Sequence, residues 1–159
     1  MSENITQRVS RIVSSTFNKL VDATENMAPE MVMEEAIREI DQATDEVRAE
    51  LGRIIAQAHL ATSRLNEENS KHDDLSRKVK LAVEEGRDDL AEAAVSQLLD
   101  IESQIPVLES TIAKAREQQK ELENYVDALA ARRREMKDEL AQYREAMSEP
   151  PAGGSGPVA

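Results

Sequence analysis

Glu84-Glu85-Gly86-Arg87-Asp88 joins two long runs, 31–83 and 87–147, and its reading decides the fold. In both runs apolar residues recur at alternating steps of four and three. The first run carries Met33, Ile37, Ile40, Val47, Leu51, Ile54, Ala58, Ala61, Leu65, Leu75, Val79 and Ala82. The second carries Ala91, Ala94, Leu98, Ile101, Ile105, Leu108, Ile112, Ala115, Leu122, Val126, Leu129, Met136, Leu140, Tyr143 and Met147. Of the 32 positions on this seam 27 are apolar, in a chain only 40% hydrophobic. A sustained seven-residue repeat of this kind specifies a left-handed coiled coil. Gly86 suits a left-handed helix C-cap, and Asp88 or Asp89 can cap or charge the next N-terminus. So short a connection makes the two helices antiparallel. Residues whose numbers add to about 172 then face each other, which sets His72 against the Ile101 region and Arg133 against 37–40. One continuous helix through Gly86 is the competing geometry.

Composition agrees with a narrow seam rather than a broad core. The 159 residues include one Phe, two Tyr and no Trp, and a third are charged, the profile of long helices. The absence of cysteine excludes disulfides, thiol catalysis and cysteine-based metal sites. No stretch of about 18 apolar residues could span a bilayer, and there is no signal-peptide-like apolar opening. The formal net charge of -12 disfavours direct nucleic-acid binding.

The opening segment, 1–24, reads as an amphipathic helix. Ile5, Val9, Ile12, Val13, Phe17, Leu20 and Val21 fall on one half of a helical wheel, with Arg11, Ser15, Asn18 and Asp22 opposite. Arg8 and Lys19 border the apolar half, where their stems can lie along it. Two readings stand side by side: a helix packed on the coiled coil or on another subunit, and an interfacial helix on an anionic membrane. They can be the stored and deployed states of one element. Residues 25–30 are expected to form a hinge, with Pro29 opening the first arm. Pro106 lies inside the second repeat, whose phase continues across it, so a bend is expected rather than a reversal. Residues 148–159, rich in Pro, Gly and Ser, read as a disordered tail.

No catalytic constellation is visible, and no cofactor is expected. Glu68 and His72 lie four apart on one face, without a second ligand pair, and read as a local ion pair. Arg132-Arg133-Arg134 reads as a solvated face with one seam arginine reaching out to water. The fold expected is therefore all-α: a long antiparallel coiled-coil hairpin over 31–147 with its tip near 84–88, an amphipathic N-terminal helix and a disordered tail.

The order of parts resembles the phage shock protein A family, which includes the vesicle-inducing proteins of plastids and cyanobacteria. The resemblance covers about residues 4–146. It rests on the amphipathic opening, on Ala28-Pro29-Glu30, on Glu39-Ile40-Asp41-Gln42-Ala43 with Glu46-Val47-Arg48, and above all on the tip. There, Lys80-Leu81-Ala82-Val83-Glu84-Glu85-Gly86-Arg87-Asp88-Asp89-Leu90-Ala91 is similar to the family's Ala-rich segment meeting an acidic Arg-Glu-Asp-Leu-Ala run. The resemblance implies a non-enzymatic envelope-stress protein, peripheral on the inner face of the cytoplasmic membrane, that self-associates and maintains or remodels membranes. It carries anionic-lipid binding onto Ile5, Arg8, Val9, Arg11, Ile12, Phe17, Lys19 and Leu20. The alternative it implies is a soluble negative regulator whose hairpin binds and inhibits a AAA+ transcriptional activator, with Gly86, Arg87, Asp88, Asp89 and Leu90 at the contact. Family members usually continue into further C-terminal helices, so a short member is expected here.

Overall fold

The computed structural model describes residues 3–23 and 27–149. The tail from 150 onward, residue 24 of the opening segment and residues 25–26 of the expected hinge lie outside the described residues. The regular elements are α1 (Ile5–Ser14), α2 (Phe17–Asp22), α3 (Pro29–Glu84) and α4 (Asp88–Ser148). Helix α3 opens on Pro29, where the missing donor costs nothing. The two long helices form a hairpin, as the seam requires.

The chain divides into two compact units, one comprising Glu50–Leu122 and the other Met1–Ala49 with Glu123–Ala159. The first holds the tip and is a two-helix layer. Ile54, Ala61, Ala82, Ala91, Ile101, Ile112, Ala115 and Leu122 are buried, all of them on the predicted seam. Ile55, Leu60, Leu99 and Val107 are off it and exposed. Glu102 bonds His72 across the hairpin at 2.9 Å, so the predicted register holds. Glu68 and His72 do not form the expected pair with each other. The Glu68 carboxylate turns to Lys71, 3.5 Å away, because Glu102 on the facing helix is the nearer partner for His72.

The turn is a helix C-cap of Schellman type. Gly86 has φ 68°. The Arg87 amide donates to the Ala82 carbonyl at 2.8 Å, and the Gly86 amide to Val83 at 3.1 Å. Two carbonyls at the end of α3 are thereby satisfied. Asp88 and Asp89 lie in the first turn of α4, beside the positive end of its dipole. A Cβ on Gly86 would meet no atom within 4 Å, so Gly86→Ala carries only the left-handed backbone penalty. We expect a loss of about 1–2 kcal/mol in urea denaturation, with the hairpin intact.

Helix α4 passes through Pro106 without interruption. Proline has no amide hydrogen, so the Glu102 carbonyl loses its helical partner there. Pro106→Ala restores that bond, and we expect a gain of about 1–3 kcal/mol by the same measurement.

The second unit is broader. Met33, Ile40, Val47, Leu129 and Met136 are its most completely buried large side chains. Here positions off the two-helix seam, such as Ala43 and Arg132, are buried too. The cause is a further layer, supplied by α1.

Candidate functional site

The opening segment is two helices rather than the single one expected. Asn4 caps α1, its side chain accepting from the Thr6 amide at 3.1 Å. The break comes at Ser14-Ser15-Thr16. Ser14 and Ser15 turn their hydroxyls back onto the carbonyls of Arg11 and Ile12, at 3.2 and 2.8 Å. Such side chains compete with the helix for its own backbone groups. Ser15 is extended, and Thr16 then caps α2 by accepting from the Lys19 amide. The hydroxyl run was the available signal for this break. Helical-wheel averaging hid it, because apolar residues on both sides of the break keep the same phase.

Helix α1 lies on α3 and α4 with its apolar face inward. Val9 and Ile12 are each only 4% exposed, and Ile5 is half-buried. Ion pairs run along its border with α3. Arg8 meets Glu46 at 2.7 Å, and Arg11 meets Glu39 at 2.6 Å. Arg11 also holds Glu3 through two contacts of 3.0 and 3.2 Å. Glu3, bonded to Arg11, is kept charged below the usual carboxylate range. The hydrogen bonds that Arg11 donates to Glu3 and then to Glu39 push its guanidinium further up. Toward α4, the Tyr125 hydroxyl donates to Thr6 at 3.3 Å. Phe17 in α2 rests against Tyr143, ring centres 6.4 Å apart and tilted by 58°. Lys19 is exposed and Leu20 half-buried. As residue numbers rise along α1 they fall along α3 and rise along α4, so α1 runs antiparallel to the first and parallel to the second.

Arg132 closes the arrangement. It is 7% exposed and donates to the Ser15 carbonyl, which the break leaves without a helical partner, and to Glu135 at 2.9 Å. Its charge sits at the C-terminal end of α1, where a cation is favoured. Its Nε has no partner among the described residues. The expected solvated arginine face is thus corrected at this position: Arg132 is inside because α1 ends on it. Arg133, the seam arginine, binds Asp41 at 2.6 Å, one position beyond the predicted 37–40.

Sequence reasoning also missed Glu39, Ala43 and Glu46 as a unit. Their four-three spacing repeats the seam spacing on the neighbouring face. Two carboxylates flank a small buried alanine, which lets a third helix approach closely.

At the tip, Gly86 to Leu90 are all exposed. Leu90 is 50% exposed, and Arg87 lies 3.8 Å from Asp89. An open groove of about 390 Å³ beside them is lined by Leu75, Leu81, Ala82 and Leu90, with Lys78 and Arg87 at its edge. Among the described residues no group of three or more His, Asp or Glu side chains could hold a metal. No described helix is long and apolar enough to cross a membrane.

The PspA/IM30 family pattern matches residues 4–147, from the N-cap of α1 to the last turn of α4. The chain belongs to the PspA/IM30 family. This is the phage shock protein A resemblance read from the tip and the opening. This PspA/IM30 member is also similar to the membrane-associated protein Vipp1 of Synechocystis sp., 26% identical over 130 residues. The match covers 82% of this chain and 48% of that relative, so the chain spans about half the length of the curated relative it matches.

Proposed function

We propose that this PspA/IM30 chain is a non-enzymatic peripheral membrane protein of envelope stress, acting at the inner face of the cytoplasmic membrane. It docks on anionic lipid through α1 and α2, self-associates through its coiled-coil hairpin, and maintains or remodels the bilayer. The observation that carries the reading is α1 itself: a helix with Ile5, Val9 and Ile12 on one face and Arg8 and Arg11 along its border. Each large apolar side chain moved out of water contributes roughly 1.5–3 kcal/mol, and each basic residue near an anionic surface about 1 kcal/mol. The same face is occupied within the folded chain, so the docked form is the stored state and the membrane-bound form has α1 released. The similarity to a membrane-associated relative supports this reading.

The test is co-sedimentation with phosphatidylglycerol vesicles at several salt concentrations. The intact chain is expected to sediment and to weaken with salt, and a chain lacking residues 1–24 to stay in solution. Equal sedimentation of both would overturn the assignment.

The tip supports a second reading, a negative regulator of a AAA+ transcriptional activator. Leu81 and Leu90 are exposed in the tip groove, an apolar surface of the kind a protein partner covers. Leu90→Asp in the intact chain would then abolish inhibition of the activator's ATPase and leave vesicle binding unchanged. Undiminished inhibition would rule out this contact.

A further inference from the structure

We infer that Glu39 and Glu46 act as internal stand-ins for lipid headgroups, and that an anionic bilayer releases α1 by taking Arg8 and Arg11 from them. The inference rests on the membrane reading above and adds to it the means of regulation.

The two α1 cations that would meet headgroup phosphates are already engaged. Arg8 is held by Glu46 and Arg11 by Glu39, on either side of the buried Ala43 over which α1 lies. Guanidinium groups bind carboxylate and phosphate with the same planar donor geometry, so one anion can replace the other without rebuilding the helix. The two glutamates are open to such competition, with side chains 46% and 35% exposed. Exposed pairs of this kind are individually weak and are screened by salt. Arg11 stays cationic throughout, so the exchange is of counter-anion and needs no proton transfer. Other docking contacts, Val9 and Ile12 below, Tyr125 on Thr6, Phe17 on Tyr143 and Arg132 on Ser15, have no phosphate-like component. They set how firmly α1 is held. The glutamates set what releases it.

The pairing makes a prediction opposite in sign to that for removal of residues 1–24. Glu39→Gln/Glu46→Gln weakens the stored state but leaves every membrane-facing residue in place. The intact protein carrying both changes should half-saturate phosphatidylglycerol vesicles at roughly fivefold less lipid than the native chain. Glu109→Gln/Glu117→Gln, on exposed α4 positions, changes net charge equally and should leave binding unchanged. Because the chain has no cysteine, Ser10→Cys/Gln42→Cys carries a spin-label pair that reads docking directly. The label pair should be close in solution and separate on phosphatidylglycerol vesicles. It should stay close with phosphatidylcholine vesicles, or with soluble glycerol phosphate at equal phosphate concentration.

Native-like lipid affinity of the glutamine pair overturns the latch and leaves the membrane reading standing. A gain of equal size in the α4 control reduces the effect to net charge and overturns it as well. Separation of the labels by glycerol phosphate overturns the requirement for a bilayer. If neither the native nor the glutamine protein sediments with phosphatidylglycerol, both the latch and the membrane reading fall.

Discussion

Val9→Ser/Ile12→Ser should leave α1 attached neither to the hairpin nor to a membrane. Both side chains are 4% exposed in the docked state, and both would enter the bilayer in the released state. The pair gives up roughly 3–6 kcal/mol of apolar transfer in each environment. The docked and membrane-bound forms therefore weaken together, and the solvated helix gains against both. The spin-label pair should be separated even without lipid. The half-saturating lipid concentration should rise at least about tenfold, less than the full transfer energy would give, because the competing docked state is lost too. This outcome, undocked yet unbound, contrasts with the glutamine pair, which should be more weakly docked and better bound. Retained vesicle binding by the serine pair would show that this face is not what enters the bilayer.

Leu129→Ala should destabilise its own unit by about 3–5 kcal/mol. Leu129 is 0% exposed and, with Met33, Ile40, Val47 and Met136, is one of the most completely buried side chains of a unit to which three helices contribute. A truncation there leaves a cavity closed on several sides, which surrounding side chains cannot fill without shifting. Leu98→Ala, on the half-buried two-helix seam of the other unit, should cost less, because water reaches one side of the vacated space. Hydrogen exchange should show lost protection over α1 and 31–49 for Leu129→Ala, with the tip amides little changed. Equal costs at the two sites would mean that α1 adds no depth to the core.

Much of the fold was legible because its determinants are local or periodic. Gly86 needs a left-handed backbone whatever surrounds it, and the four-three spacing defines a stripe that must be covered. The predicted seam and the buried residues of the two-helix unit coincide for that reason. The break in the opening segment was less visible. A hydrophobic wheel measures phase, and the phase of Ile5 to Leu20 survives the interruption at Ser15. Of the candidate site residues, Val9, Ile12, Arg8 and Arg11 are brought together on one helix and its border, whereas Phe17, Lys19 and Leu20 sit on a second short helix. Glu39 and Glu46 stood in the sequence as part of a family-like stretch, but nothing local assigned them a partner some thirty to forty residues away.

By itself the sequence determined two long helices, their turn at Gly86, their register and the amphipathic character of the opening. Each of these follows from backbone conformation or from a repeat along one chain segment. Only the tertiary structure decided what the apolar face of α1 covers, because hydrophobic burial is non-directional and a wheel cannot choose between a bilayer and a hairpin. Only the tertiary structure, too, separated Arg132 from Arg133 and Arg134. The three share one chemistry, but successive residues point about 100° apart around a helix, and Arg132 alone meets the carbonyl where α1 ends.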